Sequence, residues 1–531
     1  MSKGKSDKIK YKPYNQDQLI LFPHTFDDLI PKDHLVRLVN TKIDDLNIEK
    51  EMRKEQVGGG TSRYNPVMMT KLFVYGYMTG VCSSRKLAQA LRENIMFMWL
   101  AGGQSPDFRT LNRFRGSLLK GVIKDVFLST LKMLQAEGHI NLSHYFIDGT
   151  KIESAAGKYT FVWRKSVEKY DRQLDAKLHA YLEMVNDIWD HENAVYGDND
   201  FDELIRKDDF TSEDIEEIIT AMKAEISHFE DDDNEVGKKK VKMKETAVRT
   251  IERDFLPRKR KYEHSSEILG NRNSYSKTDV DATCMMMKES DKRNPLLRPS
   301  YNVQVGTEKG FIVGYDIFQN PGDTLTLKPH LENQEKRLGA LPKVVIADAG
   351  YGGEENYEYL DNKNIVSVVK YGMFEKESSK NWKEDIWNSD NWPYDEKEKY
   401  YQCPNGKRLI YKETQQKKNP SGYLQTSDVY ECESCKYCRR KKLCTHSKNN
   451  RRILRNENWL RLKKKTKAIF NNEEYKKLYK QRAPEIETVF GQIKGNQKYR
   501  RFLLRGKENV YTEWGLLSLG YNLKQLHRIM Q

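Results

Sequence analysis

At 531 residues the chain is too long for one ordinary hydrophobic core, so several domains, or one domain carrying large insertions, are expected. Its 37% hydrophobic residues can build a core under a strongly polar, 32% charged surface. A membrane-embedded chain is excluded, because no run of about 18 apolar residues exists and the basic start MSKGKSDKIKYKPY lacks the apolar stretch of a secretory signal, which leaves a soluble cytoplasmic protein as the expectation.

The net charge of +15 is unevenly spread: residues 451–531 hold 20 Lys and Arg against 7 Asp and Glu, whereas 191–235 hold 17 acids against 3 bases. Phosphate neutralisation with counterion release would draw a nucleic acid to the first region and repel it from the second. A solvated charged face is the plain alternative for either run.

Residues 1–14 read as a disordered basic tail. From about 15 to 140 the pattern is helical: HLVRLVNTKIDDL, NPVMMTKLFVYGYMTGV, SSRKLAQALRENIMFMWLAG and SLLKGVIKDVFLSTLKMLQAEG repeat apolar residues at three- and four-residue spacing. Ser83 and Ser84 precede one of these segments, and Ser105, Pro106 and Asp107 suit another helix start. With Arg109, Arg113 and Arg115 the region is compatible with a helix-turn-helix DNA reader, and equally with a plain helical bundle.

Next, Tyr145, Phe146 and Ile147 form a short apolar strand expected to end at Asp148 and Gly149. A carboxylate there is costly unless it is paired or binds a cation. Residues 165 to about 265 read as long charged helices, an insertion. SYNVQVGTEKGFIVGYDIFQN predicts a hairpin turning at Glu308, Lys309 and Gly310; a helix over about 324–338 follows. Val344 to Ala347 then form a second apolar strand, delivering Asp348 into a glycine-rich turn, and 364–372 predict a further strand. A second irregular stretch, roughly 373–455, holds five of the seven cysteines, after which the chain returns to helix. The order of elements is mixed α/β.

In-line displacement at a phosphodiester needs negative charge stabilised on both the attacking and leaving oxygens, which two divalent ions roughly 4 Å apart can do. Magnesium favours carboxylates from rigid elements and keeps positions for water and phosphate. Asp148 and Asp348, 200 positions apart, each follow an apolar strand, and Glu487 lies on a helix beside the basic C-terminal segment. Around it Tyr479, Arg482, Glu487 and Lys494 are separated by two, four and six residues, and in an α-helix Glu487 and Lys494 would share a face. Each aspartate alone is more often a turn or cap residue than a ligand, and the helical pair reads also as an exposed charge pair.

Through SPDFRTLNRFR, YFIDGTKIES, YTFVWRK, SKTDVDATCMMMK, RPSYNVQV, IADAGYGGEENY, ETVFGQIKGNQKYRRFLLRG and EWGLLSLGYNL the chain resembles the DDE transposases of bacterial insertion sequences, most closely the family numbered 1182. The resemblance implies an RNase H-like mixed sheet flanked by helices, an all-helical N-terminal DNA-binding domain (15–140) and two insertions, one helical (165–269) and one cysteine-rich (373–455). It divides the catalytic core into 141–164, 270–372 and a basic helical part, 456–531, carrying the Glu. It implies Asp148, Asp348 and Glu487 as catalytic ligands of two magnesium or manganese ions, and DNA contacts from Tyr479, Arg482, Lys494, Arg500, Arg501, Arg109 and Arg113. The implied partners are double-stranded DNA, as terminal inverted repeats and target, and a second copy in a DNA-bound homodimer, with no membrane; the implied location is the bacterial cytoplasm, at the nucleoid. One departure stands out: such elements carry three residues between the Arg and the Glu, and Arg482 and Glu487 enclose four, which makes Glu485 the second choice. Glu153, Asp279, Asp281 and Asp323, near the motifs, read either as groups that support the ligands from behind or as plain caps, and a structural part is expected for each. An inactive DNA-binding derivative, or a nuclease without strand transfer, fits the same residues.

Cys432, Cys435, Cys438 and Cys444 follow C-x2-C-x2-C-x5-C, with Cys403 and His446 nearby. Four thiolates would close a tetrahedral structural zinc site, although the spacing leaves the quartet open and free cysteines are the alternative.

Overall fold

The computed structural model describes residues 25–49, 64–193, 207, 209–229, 235–287 and 295–531; the basic tail 1–14 and part of the acidic run lie outside the described residues. Contacts divide the chain into two compact units, one of residues up to 122 with 526–531, the other of 123–525.

The first unit is helical. Helix Pro66–Thr79 is buried from Met69 through Met78, so it is wrapped on all sides, and its start is fixed by Asn65, whose side chain accepts from the backbone N–H of Val67 and Met68. Ser83 accepts from Lys86 N at the start of helix Ser84–Glu93, and Asp107 from Thr110 N at the start of Phe108–Gly116. These caps satisfy N–H groups that have no partner within the helix.

The second unit is built on a six-stranded mixed sheet. Its strands are β1 (His144–Glu153), β4 (Thr283–Met286), β5 (Leu297–Glu308), β6 (Phe311–Phe318), β7 (Val344–Ala347) and β8 (Val366–Val369). The order is β4-β5-β1-β7-β8, with β6 also on β5; β1, β7 and β8 are parallel, while β5 runs antiparallel to β1. This mixed sheet flanked by helices is consistent with the RNase H-like expectation. β1 does not end at Asp148 but continues to Glu153, because β5 pairs with it along its whole second half. The β5–β6 turn falls where expected, with φ of 52° at Lys309 and 78° at Gly310, the positive pair a two-residue hairpin needs.

Glycine is required where the sheet admits a ring. A Cβ on Gly306 would lie 1.9 Å from Tyr145 Cζ, and one on Gly314 2.2 Å from Tyr145 Oη, so both must lack one for Tyr145 to cross beneath β5 and β6. On the opposite face Phe146, Val344, Ile346 and Val368 pack with Phe470, Leu478 and Tyr479 from the C-terminal helices.

The helical insertion leaves and rejoins this core through a two-stranded clamp, β2 (Phe161–Trp163) against β3 (Ser274–Ser276), so its two ends meet. Its helices, Arg164–Asn193, Ser212–Phe229, Glu235–Thr250 and Leu256–Leu269, share their own core, including Leu178, Ile215 and Met222. The cysteine-bearing stretch is not irregular. From residue 394 it forms a five-stranded antiparallel sheet, β9 (Tyr394–Asp395), β10 (Tyr400–Gln402), β11 (Arg408–Lys418), β12 (Leu424–Cys432) and β13 (Arg452–Arg455), in the order β13-β12-β11-β10-β9. The sequence hides it because Leu409 is the one buried residue of β11, and no apolar alternation marks the strand.

Candidate active site

Asp148 and Asp348 follow paired residues: β1 and β7 are parallel with Ile147 opposite Ala347, which brings the two aspartates to adjacent strands in the same register. Adjacent strands lie about 4.8 Å apart. Asp348 leaves β7 into the short turn Ala349–Tyr351, where its Oδ1 accepts from Gly350 N at 2.8 Å. Asp148, 7% exposed, accepts from Gly149 N at 2.7 Å, and Arg482 Nη1 stands 3.7 Å from its Oδ2. A buried carboxylate beside a guanidinium is a compensated charge. Gly149 is required here as well, since a Cβ would meet Asp323 Oδ1 and Gln304 Nε2 at 2.4 Å.

Glu487 is not gathered with this pair. It is exposed, and among the described residues no group of three His, Cys, Asp or Glu side chains is arranged to hold a metal ion. The helix around it departs from α geometry: Ala483–Glu487 and Gly491–Asn496 are π-helical, separated by the short α-helical piece Thr488–Phe490. A π-turn closes i→i+5 bonds and so takes one more residue than an α-turn. Against the three-residue spacing that the resemblance implies, this wider turn would take up the fourth residue between Arg482 and Glu487. The second π segment has the opposite consequence, because seven positions that include a π-turn no longer return to one azimuth, and the shared face of Glu487 and Lys494 read from α spacing does not carry over. Glu485 is engaged elsewhere: its Oε2 accepts from Gly310 N at 2.8 Å at the tip of the β5–β6 hairpin, and burial raises its pKa.

Tyr479 packs edge-on against Phe470, with Lys370 Nζ 4.4 Å from its ring centre. Arg500 is exposed, with Nε 3.4 Å from Lys494 O, whereas Arg501 donates to Ser154 O and Ala156 O and ties the C-terminal segment to β1. In the N-terminal unit Arg109 and Arg113 are exposed four apart on helix Phe108–Gly116. Arg115, grouped with them in sequence, is buried and donates to Tyr77 Oη and Cys82 O, so it is a packing residue. Helical period explains this, since Arg115 projects from the same side as the buried Leu111.

Two family models match the chain: a transposase DDE domain over residues 402–527 and a transposase domain, DUF772, over residues 24–117. Both matches support an insertion-sequence DDE transposase. The matches support that group as a whole and not the particular family numbered 1182. No curated protein and no solved structure matches the chain. Among the described residues no helix is long and apolar enough to cross a membrane.

The DDE match includes Glu487 and begins downstream of both aspartates, so their pairing is a statement of the sheet register alone. One neighbour carries more than its sequence suggested. Asp323 Oδ1 accepts from Asn302 Nδ2 and Gln304 Nε2, each at 2.8 Å, and Gln304 Oε1 in turn accepts from the buried Tyr351 hydroxyl. That hydroxyl has its pKa raised first by burial and then by the negative charges of Asp323, Asp148 and Asp348. Asp323 therefore flanks the aspartate pair. The sequence signal was the Gly following Asp148, whose missing Cβ makes the room. Asp279 and Asp281 are structural, as expected: Asp279 accepts from Tyr301 Oη and Gly506 N, and Asp281 from Lys507 N.

Proposed function

We propose that this chain binds insertion-sequence ends as double-stranded DNA and catalyses cleavage and strand transfer by in-line displacement at phosphorus. The observation that supports this most directly is the register that sets Asp148 beside Asp348 at the ends of two buried parallel stretches, with the Arg482 guanidinium next to Asp148. Two hard-oxygen donors from rigid neighbouring strands suit a divalent cation, and Glu487, on the adjoining helical segment, is the third ligand of this reading. Two magnesium or manganese ions bound there would activate the attacking oxygen and stabilise the leaving one. Arg482, 3.7 Å from Asp148, would hold a DNA phosphate near the aspartate pair, with Lys494 and Arg500 following along the same segment. Arg109 and Arg113 offer two further cations to the backbone of an element end, and a homodimer would bring two ends together.

The exposed position of Glu487 favours a second reading, a protein that occupies element ends without cutting them. Incubating labelled element-end and target DNA with the full chain and magnesium separates the two. Cleavage and joining by the parent, falling by at least about 1000-fold in Asp148→Ala and in Asp348→Ala, corresponds to a barrier rise of about 4 kcal/mol and supports catalysis. Unchanged rates in either variant remove the pair from the chemistry; binding by the parent without any cleavage leaves the occupancy reading; cleavage without joining makes the protein a nuclease.

A further inference from the structure

The five clustered cysteines, absent from the reading above, are free thiols that line one cavity of about 20 Å³, room for a single ion or water. They come from three places. Cys403 opens the turn between β10 and β11, in which Gly406 N donates to Cys403 O, Cys403 N donates to Lys407 O, and Gly406 has a φ of 76°. Cys432 ends β12, and Cys435, Cys438 and Cys444 lie on the loop between β12 and β13.

The hydrogen bonds separate Cys432 from the others. Arg451 N donates to Cys435 Sγ at 3.4 Å and Asn405 Nδ2 to Cys438 Sγ at 3.7 Å, so these sulfurs receive protons, which suits thiolates. Cys432 Sγ differs in standing 3.8 Å from a carbonyl oxygen, Ser434 O, and its side chain is buried beside that of Cys435 in the small core with Trp392, Leu409 and Tyr430. Cys444 is carried to the cavity by a short helical turn, Lys441–Cys444. His446 is exposed and does not line the cavity.

We infer that Cys403, Cys435, Cys438 and Cys444 form a structural zinc site that pins the β10–β11 turn to the β12–β13 loop, with Cys432 a packing residue beside it. Tetrahedral tetrathiolate coordination is the usual closed arrangement for such an ion. The complex would carry a net charge of about −2 by summing four thiolates with one dication, and Lys407, Arg440, Lys441 and Arg451 line the same cavity to offset it. The thiols line the cavity, but among the described residues no three such side chains are arranged to hold an ion, so loading has to draw them inward. A need for the ion follows from burial: β11 has a single buried residue, and a sheet with so small a core is commonly held by a metal or disulfides.

The test uses the full chain purified under reducing conditions, with zinc measured by elemental mass spectrometry and accessible thiols counted before and after a chelator. Expected are about one zinc per chain and about four additional reactive thiols once the chelator is added. Cys438→Ser loses the zinc and Cys432→Ser retains it. Less than about half an equivalent of zinc in the parent, or no gain of reactive thiols on chelation, overturns the site, whether the cysteines then prove free or disulfide-linked. Equal loss in Cys432→Ser and Cys438→Ser overturns the choice of ligands. Should Cys438→Ser be insoluble, replacing zinc by cobalt in the parent decides: strong sulfur-to-cobalt charge-transfer absorption supports thiolate ligation, and its absence refutes it. None of these readouts involves DNA, so they stand or fall apart from the transposase reading.

Discussion

The two sheets of the larger unit differ in how they are held. In the six-stranded sheet β5 is buried along ten successive residues and β7 along all four, so both faces of these strands are covered. In the five-stranded sheet β11 is exposed almost throughout, and its core is a handful of aromatic, aliphatic and cysteine side chains. Carboxylates can be set within one strand spacing only where packing fixes both strands. Where packing is thin, cross-links between turns have to supply the rigidity. On the two proposals above, the first sheet would position charge and the second would be stapled by a metal ion.

That contrast can be broken or sharpened by substitution. The largest effect beyond the aspartates is expected at Glu487→Gln, with strand transfer falling by about 1000-fold or more while DNA binding is kept; retained activity would leave the aspartates without a third ligand. Asp323→Asn keeps an oxygen to accept from Asn302 and Gln304 but removes the charge beside the aspartate pair, and strand transfer should fall about 10- to 100-fold, the usual cost of disturbing a group that orients a ligand. An unchanged rate would make Asp323 a plain loop anchor.

Gly306→Ala drives a methyl into Tyr145 and should cost about 1–3 kcal/mol in denaturant unfolding, whereas Gln416→Ala on the exposed β11 should stay within about 0.5 kcal/mol. Equal costs would show that the two sheets are not held differently. The smallest effect is expected at Glu485→Gln. Burial holds the folded-state pKa of Glu485 above its unfolded value, so its contribution to stability is fully present below the ordinary carboxylate range and is lost as pH rises through the folded value. At neutral pH the glutamine should therefore raise the melting temperature slightly and leave strand transfer intact, with the gain vanishing in acid. A catalytic loss as large as that of Glu487→Gln would move the third ligand to Glu485.

Much of this was legible along the chain. The apolar strands before Asp148 and Asp348, the Lys309-Gly310 turn and the Ser83 and Asp107 caps are local patterns, each set by period or by one side chain reaching its own backbone. Other features were not legible. β1 continues past Asp148 because its partner strand comes from 150 residues downstream. β11 carries no periodicity because water covers it. Arg115 stands in a basic segment with Arg109 and Arg113, and only the fold shows that its partners are Tyr77 and Cys82.

Sequence by itself singled out the candidates for chemistry: two strand-borne aspartates, a glutamate among cations, and a run of thiols. Only the tertiary structure decided who stands next to whom, because a parallel pairing such as Ile147 with Ala347 joins residues 200 positions apart and leaves no local trace. It also decided that Ala483–Glu487 is π-helical, a turn that would take up the fourth residue between Arg482 and Glu487, since helix type depends on which backbone bonds the packed environment allows to close.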